Sequence, residues 1–527
     1  MSTLVTKPAR VLKAVAREVA WPADDVEGLF RRLSSRSRCA WLDSAGGPPT
    51  LARWSVLAAE PSAIFSHEDD VTSLRDAGGR VLLETRGRPM EALREALASV
   101  AVDADGAAAA LPFGPGFYGY LSYDLAPYIE PTSGLSPCRD IAMPDLWFGL
   151  YEAVLVLDRM ERRVHLVGAP GPGWEVIEAA MSGQAPRGET LERGGSGDPP
   201  RTTTHSPRTA LDPPRTTGGR PEFERGGSPE PPRTSAGPGA THNMTREGFL
   251  RAVARAREYI AAGDIFQVNL SRRLTAPLAG PGGPADLYLR LRRANPAPYA
   301  AYLDLGRGRA ILSSSPELFL DLRDGAVVTR PIKGTRPHRP GAEALNARMR
   351  AELVASEKDR AELVMIVDLE RNDLGRVCSY GSVRVAAPRA VEAYASVYHT
   401  VATVTGRLHE DRDLVDLLKA TFPGGSITGA PKIRSMQIIA ELEPTRRSVY
   451  TGAVGYLGLA SAGERAGRCI LNIAIRTLLA AGGSVHLQVG GGIVADSRPE
   501  EEYAETEDKA RAILEALRLD GNAKCEM

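Results

Sequence analysis

The order of apolar and polar positions divides the chain into two folded blocks separated by a polar stretch. In the first block, residues 1–181, one predicted helix places four apolar side chains on a single face: Val26, Leu29, Phe30 and Leu33. Asp24 or Asp25 can cap that helix. Short alternating apolar runs follow, such as residues 38–43 and 150–157, and Gly and Pro separate them. This pattern predicts an antiparallel sheet with a few helices.

Residues 182–242 differ in composition from both blocks. Gly, Pro, Arg, Thr and Ser dominate the stretch, and two motifs repeat: DPPRTT at Asp198 and Asp212, and ERGGS at Glu192 and Glu224. Such a sequence has almost no apolar side chains to bury, so burial cannot offset the entropy that is lost on ordering. We therefore expect a disordered insertion here.

The second block, residues 243–527, mixes strand and helix patterns without strict alternation. Strand-like runs occur at residues 265–270, 310–313, 318–322 and 485–489, and helical patterns at 244–262, 342–369 and 499–517. This mixture favours an α+β fold over a parallel doubly wound sheet.

The composition excludes some functional classes. Hydrophobic residues make up 43% and charged residues 25% of the 527 residues, an ordinary mix for a soluble protein. Lys+Arg equals Asp+Glu at 65 each, so the chain has no general attraction to nucleic acid or to an anionic membrane. No apolar run reaches the roughly 20 residues that a membrane helix needs.

The cysteines and the N-terminus indicate a reducing compartment. Five scattered cysteines form no C-x-x-C pair: Cys39, Cys138, Cys378, Cys469 and Cys525. This argues against a disulfide framework and against a zinc site. Arg10, Lys13 and Arg17 interrupt what would have to be the apolar core of a signal peptide. We expect a cytoplasmic protein that binds neither nucleic acid nor membrane.

Carboxylates on the C-terminal helical pattern are candidate ligands for a divalent cation. Glu502, Glu505 and Lys509 fall on one narrow helix face. Two carboxylates on one face suit a hard cation such as Mg²⁺. The alternative is a solvated helix with an ion pair between Glu505 and Lys509.

Glu362 is a second candidate ligand, because it lies beside a run of apolar residues. A carboxylate in such surroundings needs a partner or a metal. The alternative is an ion pair with Lys358 or Arg360 on the same helix.

Two residues between apolar segments are candidate catalytic groups. Lys333 precedes Gly334 in RPIKGTRP and can act as a nucleophile if its amine is uncharged. Glu317 follows a strand pattern in SSSPE and can act as a general acid if its carboxyl lies in a partly apolar cleft. A surface lysine and an exposed carboxylate are the plain alternatives. The glycines at 490–492 fit either a tight turn or a cradle for an anion.

Seven stretches of the second block, in this order and wording, resemble one known family: GDIFQVNLS (263–271), SSSPELFL (313–320), RPIKGTRP (330–337), AELVMIVDLERNDLGRV (361–377), TFPGGSITGAPKIRSM (421–436), YTGAVGY (450–456) and GGGIVADSRPEEEYAETEDKA (490–510). WLDSA at Trp41 and MPDLWFGLYE at Met143 match its N-terminal region more loosely. The family is that of the chorismate-binding enzymes. The resemblance implies an α/β/β/α sandwich of two large antiparallel sheets, with the active site in a cleft between them.

The resemblance also implies a magnesium ion that holds the ring carboxylate of chorismate. Glu362 and Glu505 match its direct ligands, and Glu502 matches a nearby one. The matched positions of the substrate site are Gln267, His399, Thr428, Tyr450, Arg476, Gly490, Gly491, Gly492 and Lys509. Among these, Arg476 is expected to hold the enolpyruvyl carboxylate.

Two positions separate the reactions of this family. Isochorismate and salicylate synthases carry a water-activating lysine where this chain has Gln267, a neutral amide that cannot act as a base. The anthranilate and isochorismate branches usually have alanine at the position of Lys333. The PIKGT form resembles the aminodeoxychorismate synthase branch. The resemblance therefore implies that an amino group replaces the 4-hydroxyl of chorismate, with Lys333 as the nucleophile and Glu317 as the acid.

The resemblance also bears on partners and on regulation. No cysteine has glycine at both the −2 and +2 positions, as a glutaminase nucleophile elbow requires, so we expect a separate glutaminase subunit to supply ammonia. Asp43 replaces the glutamate of the tryptophan-binding anthranilate branch, so no feedback control is assigned, although Ser44 is a candidate for lining a residual pocket. Anthranilate synthase component I and a non-catalytic chorismate-binding subunit remain the alternatives.

Overall fold

The computed structural model describes residues 8–183, 234–235, 240–278, 282–461 and 467–517. The strands of the first block are β1 (Arg10–Val19), β2 (Ala40–Asp43), β3 (Trp54–Ala58), β4 (Ala63–Glu68), β5 (Val71–Asp76), β6 (Val81–Arg86), β7 (Val100–Ala104), β8 (Gly116–Leu121), β9 (Leu146–Tyr151), β10 (Ala153–Asp158) and β11 (Arg163–Gly168). Its helices are α1 (Asp25–Ser34), α2 (Pro89–Ser99), α3 (Gly106–Ala109), α4 (Ala126–Ile129) and α5 (Pro172–Met181), with a 3₁₀ turn at Tyr123–Leu125.

The remaining strands are β12 (Thr234–Ser235), β13 (Thr241–His242), β14 (Gln267–Pro277), β15 (Tyr299–Gly306), β16 (Arg309–Ser315), β17 (Leu318–Arg323), β18 (Ala326–Arg330), β19 (Ile332–Pro337), β20 (Arg384–Ala393), β21 (Val397–Arg407), β22 (Gly429–Ala430), β23 (Ala453–Gly458), β24 (Arg468–Ile473), β25 (Thr477–Ala481) and β26 (Ser484–Ile493). The helices are α6 (Arg246–Ala261), α7 (Gly283–Ala294), α8 (Glu343–Ala355), α9 (Glu357–Gly375), α10 (Leu414–Thr421), α11 (Lys432–Leu442) and α12 (Pro499–Leu517), with a 3₁₀ turn at Gly425–Ile427.

Within the described residues, the strands form two large sheets. The first sheet has 14 strands in the order β12-β13-β14-β26-β25-β16-β15-β2-β3-β10-β11-β1-β7, with β22 beside β14. The second has 12 strands in the order β19-β21-β18-β17-β24-β23-β8-β9-β4-β5-β6, with β20 beside β21. All strand pairs are antiparallel except β1 with β7. Both blocks contribute to both sheets, since β2 pairs with β15 and β8 pairs with β23.

The two sheets pack face to face, and helices cover both outer faces. Strand β10 shows the layers, because Val154 and Val156 join the core between the sheets while Ala153, Leu155 and Leu157 join the core under the helices of the first sheet. A strand that is buried on both faces places successive side chains into different layers. The outer core of the second sheet includes residues of α2, α9, α10 and α11. The α/β/β/α sandwich is confirmed.

The first predicted helix is confirmed, whereas its cap is not. The four apolar residues of α1 are all buried against the first sheet, and each such side chain contributes about 1.5–3 kcal/mol. Asp24 occupies the N-cap position but makes no capping hydrogen bond, because its carboxylate pairs with Arg32. None of the helices that the structure describes is long and apolar enough to span a membrane.

Several sequence-based boundaries were wrong. The apolar run at 150–157 is two strands, because the chain passes from β9 in the second sheet to β10 in the first at Glu152. The helix predicted over 342–369 is two helices that meet at Ser356, whose hydroxyl accepts from the Asp359 N–H at 3.2 Å and caps α9. The glycines at 490–492 form no turn and lie within β26.

Most of the predicted insertion lies outside the described residues. Its C-terminal end is an exception, since β12 pairs with β13, and β13 pairs with β14 of the first sheet. The second folded block therefore includes Thr241–His242, slightly before the predicted boundary at residue 243.

Candidate active site

A cleft of about 700 Å³ lies at one end of the sandwich. Its walls come from β14 and β26 of the first sheet, from β19 and β21 of the second, and from α9 and α12. Most of the predicted site residues line it: Glu317, Lys333, Glu362, His399, Tyr450, Arg476, Gly490, Gly492, Glu505 and Lys509. The fold thus gathers groups from seven separate stretches of sequence.

Lys333 lies on β19, an edge strand, and its half-buried side chain enters the cleft. Its amine donates to the carbonyl of Ser426 at 3.4 Å. The pairing of β19 with β21 skips one residue between Lys333 and Thr335, where Gly334 has a φ of +78°. A glycine with positive φ is the residue that such a β-bulge requires. The sequence KG therefore bends the strand at the point where it presents the amine.

We expect Gly334→Ala to lower the free energy of unfolding by more than the backbone strain alone would. A methyl group at Gly334 would lie 2.9 Å from side-chain atoms of Asp359 and Leu353, so these side chains, or the helices α8 and α9 that carry them, would have to move. We expect a loss of about 1–3 kcal/mol from the strained φ and a further loss from this contact, measured by urea unfolding. Gly341→Ala is the matched control, because Gly341 has a φ of +80° and nothing within 4 Å. Equal losses in both variants would show that the contact with α8 and α9 contributes nothing.

Glu317 lies between β16 and β17 and is buried at 5% exposure. Burial raises the pKa of its carboxyl, while the nearby Ser426 hydroxyl, Lys333 and Arg476 oppose the shift. A buried carboxyl with a raised pKa holds its proton closer to neutral pH and can donate it. The prediction of a carboxyl in a shielded cleft is confirmed, and the exposed alternative is excluded.

His399 and Arg476 form a second part of the cleft wall. Burial, with the charges of Arg476 and Lys509, lowers the pKa of His399 to about 3, so the imidazole is neutral. Its Nδ1 lies 3.3 Å from the Gly334 carbonyl and 3.0 Å from the Thr335 hydroxyl, while Nε2 has no protein partner. Burial also lowers the pKa of Arg476, and no carboxylate pairs with this guanidinium among the described residues. These groups are available to a polar, anionic ligand.

The predicted metal ligands Glu362, Glu502 and Glu505 lie near one another beside the cleft. Burial raises the pKa of Glu362 and of Glu502, and the charge of Glu505 raises both further. The ion-pair alternatives are also present, since Lys509 lies 2.7 Å from Glu505 and Lys358 lies 3.9 Å from Glu362.

These three carboxylates have the donor chemistry of a magnesium site. Oxygen ligands suit Mg²⁺, and a dication would relieve the repulsion among these neighbouring carboxylates. In the described part of the chain, no three His, Cys, Asp or Glu side chains already converge on one point. A cation would therefore have to draw them together and displace Lys358 and Lys509.

The glycines of β26 permit close approach from both sides. A methyl group at Gly491 would lie 3.2 Å from the Glu502 carboxylate, and Lys509 donates to the Gly490 carbonyl at 2.8 Å. Gly491 and Glu502 lie next to the cleft and are not part of its wall. At these glycines, β26 therefore presents backbone without side chains to the cleft on one face and to α12 on the other.

Besides Gly491, two predicted substrate-site residues do not line the cleft. Thr428 is fully buried, and its hydroxyl donates to the Gly424 carbonyl at 2.9 Å, so it shapes the 3₁₀ turn that carries Ser426. Gln267 is also fully buried, behind Gly492, and neither atom of its amide has a partner.

Among the residues of the cleft wall that the sequence reasoning missed are Asn269, Ser426 and Gln488. Period-two alternation could have identified Asn269, because it follows Gln267 on the same face of a predicted strand. Ser426 and Gln488 carried no comparable signal.

A smaller pocket of about 190 Å³ is lined by residues of both blocks, Asp43, Ser44 and Pro298 among them. The prediction that Ser44 lines a pocket is confirmed. Asp43 is not available to a ligand, because its carboxylate pairs with Arg292 at 2.7 Å and accepts from the Ser55 hydroxyl at 3.1 Å.

Comparison with known proteins agrees with this site. A model of the chorismate binding enzyme family matches residues 37–515. Anthranilate synthase component 1 of Streptomyces coelicolor is 42% identical over 434 residues, which cover 82% of this chain and 78% of that protein. Aminodeoxychorismate synthase component 1 of Bacillus subtilis is 36% identical over 510 residues, which cover 96% of this chain and 97% of that protein.

A solved structure shares the whole architecture. Anthranilate synthase component I from Streptococcus pneumoniae superimposes with a TM-score of 0.65 and 32% identity, over 88% of this chain and 92% of that one. The family match spans both folded blocks and every residue of the cleft. The chain belongs to the family of chorismate-binding enzymes.

Proposed function

We propose that this chain replaces the 4-hydroxyl of chorismate with an amino group and releases 4-amino-4-deoxychorismate. The observation that carries the proposal is the position of the Lys333 amine. It lines the same cleft as Glu317, Glu362 and Glu505, and it donates to the Ser426 carbonyl at 3.4 Å. A lysine on the protein surface would not face these three carboxylates. The sequence around Lys333 also resembles the branch of the family that aminates ring position 4.

In the first displacement, the neutral amine of Lys333 attacks ring position 2. Both ring double bonds shift, and the bond from position 4 to the hydroxyl breaks. Glu317 gives its proton to the departing hydroxyl, which leaves as water, and then takes a proton from the Lys333 nitrogen, which became an ammonium when it attacked. Covalent catalysis divides one hard substitution into two easier ones.

In the second displacement, ammonia attacks ring position 4, the double bonds shift back, and the bond from position 2 to Lys333 breaks. Glu317 gives its proton to the departing Lys333 amine and then takes one from the new 4-ammonium group. Arg476 holds the enolpyruvyl carboxylate throughout, which keeps the ring in place for both steps. Glu362, Glu505 and Glu502 would hold a magnesium ion, which supplies electron withdrawal through the ring carboxylate when it is bound.

The relatives' names, component 1, support a partner for this chain. We propose that a glutaminase subunit supplies the ammonia. The four cysteines that the structure describes agree with this, since Cys39, Cys378 and Cys469 are buried and none lies in the cleft. A buried thiol cannot act as the nucleophile of a glutaminase.

Anthranilate synthase is the second candidate, because one relative with that name is 42% identical to this chain and another, from Thermus thermophilus, is 41% identical. That reaction places nitrogen on ring position 2 and eliminates pyruvate. The anthranilate branch usually has alanine at the position of Lys333.

Product analysis tests the proposal. The purified chain is incubated with chorismate, Mg²⁺ and ammonium at alkaline pH, and the product is identified by mass spectrometry. We expect a product that keeps the enolpyruvyl group and has exchanged a hydroxyl for an amino group. Anthranilate as the main product would refute the proposal.

We expect Glu505→Gln to weaken magnesium binding by on the order of 10- to 100-fold, because the amide removes a charge that the cation would neutralise. The measurements are the Mg²⁺ dependence of activity and calorimetric Mg²⁺ binding. Glu501→Gln is the matched control, since Glu501 lies on the same helix and pairs with Arg498 at 3.0 Å. Unchanged Mg²⁺ affinity in Glu505→Gln would remove Glu505 from the metal site.

A further inference from the structure

A second buried carboxyl lies behind the proposed acid. Glu370 lies on α9, about two turns after Glu362, and is 9% exposed. It is not part of the cleft wall, whereas Glu317 is. The Thr329 hydroxyl on β18 donates to Glu370 Oε2 at 3.1 Å, so α9 packs its carboxyl against the outer face of the second sheet.

The register of the second sheet places Glu317 beside this contact. Leu318 pairs with Arg330, and Leu318 lines the smaller pocket between the sheets. Glu317 and Thr329 each precede one residue of this pair, so both side chains point to the opposite face, where Thr329 meets Glu370. Glu317 and Thr329 are thus diagonal neighbours, a relation that brings side chains within about 7–8 Å.

Glu370 has no cation to balance a negative charge. No Lys or Arg forms an ion pair with it among the described residues. Lys432, the cation that acts on it, is already bound to Asp373 at 2.5 Å and to the Thr421 carbonyl at 3.0 Å. A buried carboxyl without such a partner stays neutral. Burial, with the charges of Glu317 and Asp373, raises the pKa of Glu370 well above its usual range.

Glu317 is the more easily ionised member of the pair. The Ser426 hydroxyl, Lys333 and Arg476 favour the charged form of its carboxyl and partly offset its burial. Glu317 therefore gives up its proton before Glu370 does. Two neighbouring buried carboxyls resist being ionised together, so the pair keeps its last proton to a higher pH than one carboxyl alone would.

The proposed reaction needs opposite protonation states at the same pH. Lys333 and ammonia must be neutral to attack, whereas Glu317 must carry a proton. Alkaline pH favours the first condition and removes the second. Glu317 recovers its proton within each displacement, so a shortage arises when it enters a turnover already ionised.

We propose that Glu370 holds a reserve proton for Glu317. In the transfer, the O–H bond of Glu370 breaks and its electron pair stays on that oxygen, while an O–H bond forms on Glu317. The total charge of the pair does not change, and no other reactant takes part. Glu370 is thus a positioning residue that acts through Glu317. The inference rests on the acid role of Glu317 in the proposed function, and it holds for any reaction in which that residue protonates the departing hydroxyl.

The pH profile of kcat tests the reserve, at saturating chorismate and constant free ammonia. Glu370→Gln keeps the shape of the side chain and removes its titrating proton, and Glu370→Met does the same without a polar group. We expect the midpoint of the alkaline fall to lie about one pH unit lower in both variants, which makes kcat about tenfold lower on the alkaline side. Asp368→Asn is the matched control, since Asp368 is an exposed carboxylate on α9 that pairs with Arg371 at 2.9 Å, and its profile should match the wild type.

The position of the midpoint decides between a reserve and a structural role. A kcat that is lower by the same factor at every pH, with the midpoint unmoved, would make Glu370 a packing residue and overturn the proposal. An unchanged profile in both variants would overturn it as well. The identity of the wild-type product reports the proposed function separately, because anthranilate would refute that function while the midpoint still decides the reserve. An alkaline fall that persisted in Glu317→Gln would remove the acid, and the reserve would fall with it.

Discussion

Lys333→Ala is expected to lower the rate of 4-amino-4-deoxychorismate formation by on the order of 10³-fold or more, even with saturating ammonium. The variant removes the only group in the proposed mechanism that can attack ring position 2. The KM for chorismate should change little, because Arg476 and the carboxylate cluster remain. The measurement is product formation by mass spectrometry together with chorismate binding by calorimetry.

The control for this variant is Lys358→Ala, which removes another lysine from the cleft wall. Lys358 lies 3.9 Å from Glu362 and its side chain is 56% exposed, and it is not among the charges that act on Glu317. We expect a much smaller loss of rate, because only local charge is lost. A Lys333→Ala enzyme that keeps full 4-amination would eliminate the nucleophile role and leave Lys333 at most a stabilising charge.

Glu317→Gln is expected to lower kcat by about 10²- to 10⁴-fold, the usual value of a general acid. Burial raises the pKa of Glu317, so in the wild type the acid form is lost as pH rises through that raised value. At constant free ammonia, kcat of the wild type should therefore fall on the alkaline side. The residual rate of the amide variant should lack this alkaline fall.

The Asp321→Asn variant tests whether the alkaline fall in kcat comes from Glu317 itself or from any buried carboxyl nearby. Asp321 is on the neighbouring strand β17, and burial raises its pKa as well, but it lies outside the cleft. We expect its pH–rate profile to match that of the wild type. An alkaline fall that persisted in Glu317→Gln would assign the titration to another group, and Glu317 would lose its role as the acid.

The spacing of apolar and polar residues predicted those helices whose buried face can be recognised from their own sequence. The spacing of α1 and the acidic face of α12 identified both helices, because one apolar stripe must face a core. The break at Ser356 was also accessible, since Ser356 and Asp359 have the spacing of an N-cap motif. Helical periodicity on both sides of the break hid it.

Long-range pairing could not be read from local pattern. The corner at Glu152 assigns β9 and β10 to different sheets, and this depends on which strands they pair with: β9 lies between β4 and β8, and β10 lies between β3 and β11. The same limit applies to the cleft. Family motifs singled out Lys333 and Glu317, which both line the cleft. By contrast, the orientation of the Gln488 amide depends on the contact of Ser271 with Glu443, which no linear pattern encodes.

The most direct test of the central claim withholds ammonia. Wild-type chain is mixed with chorismate and Mg²⁺ alone, quenched, digested and examined by peptide mass spectrometry. We predict that the peptide carrying Lys333 gains the mass of chorismate less one water, and that the Lys333→Ala chain shows no such adduct. An unmodified Lys333 peptide from an enzyme that forms 4-amino-4-deoxychorismate once ammonium is added would contradict the account.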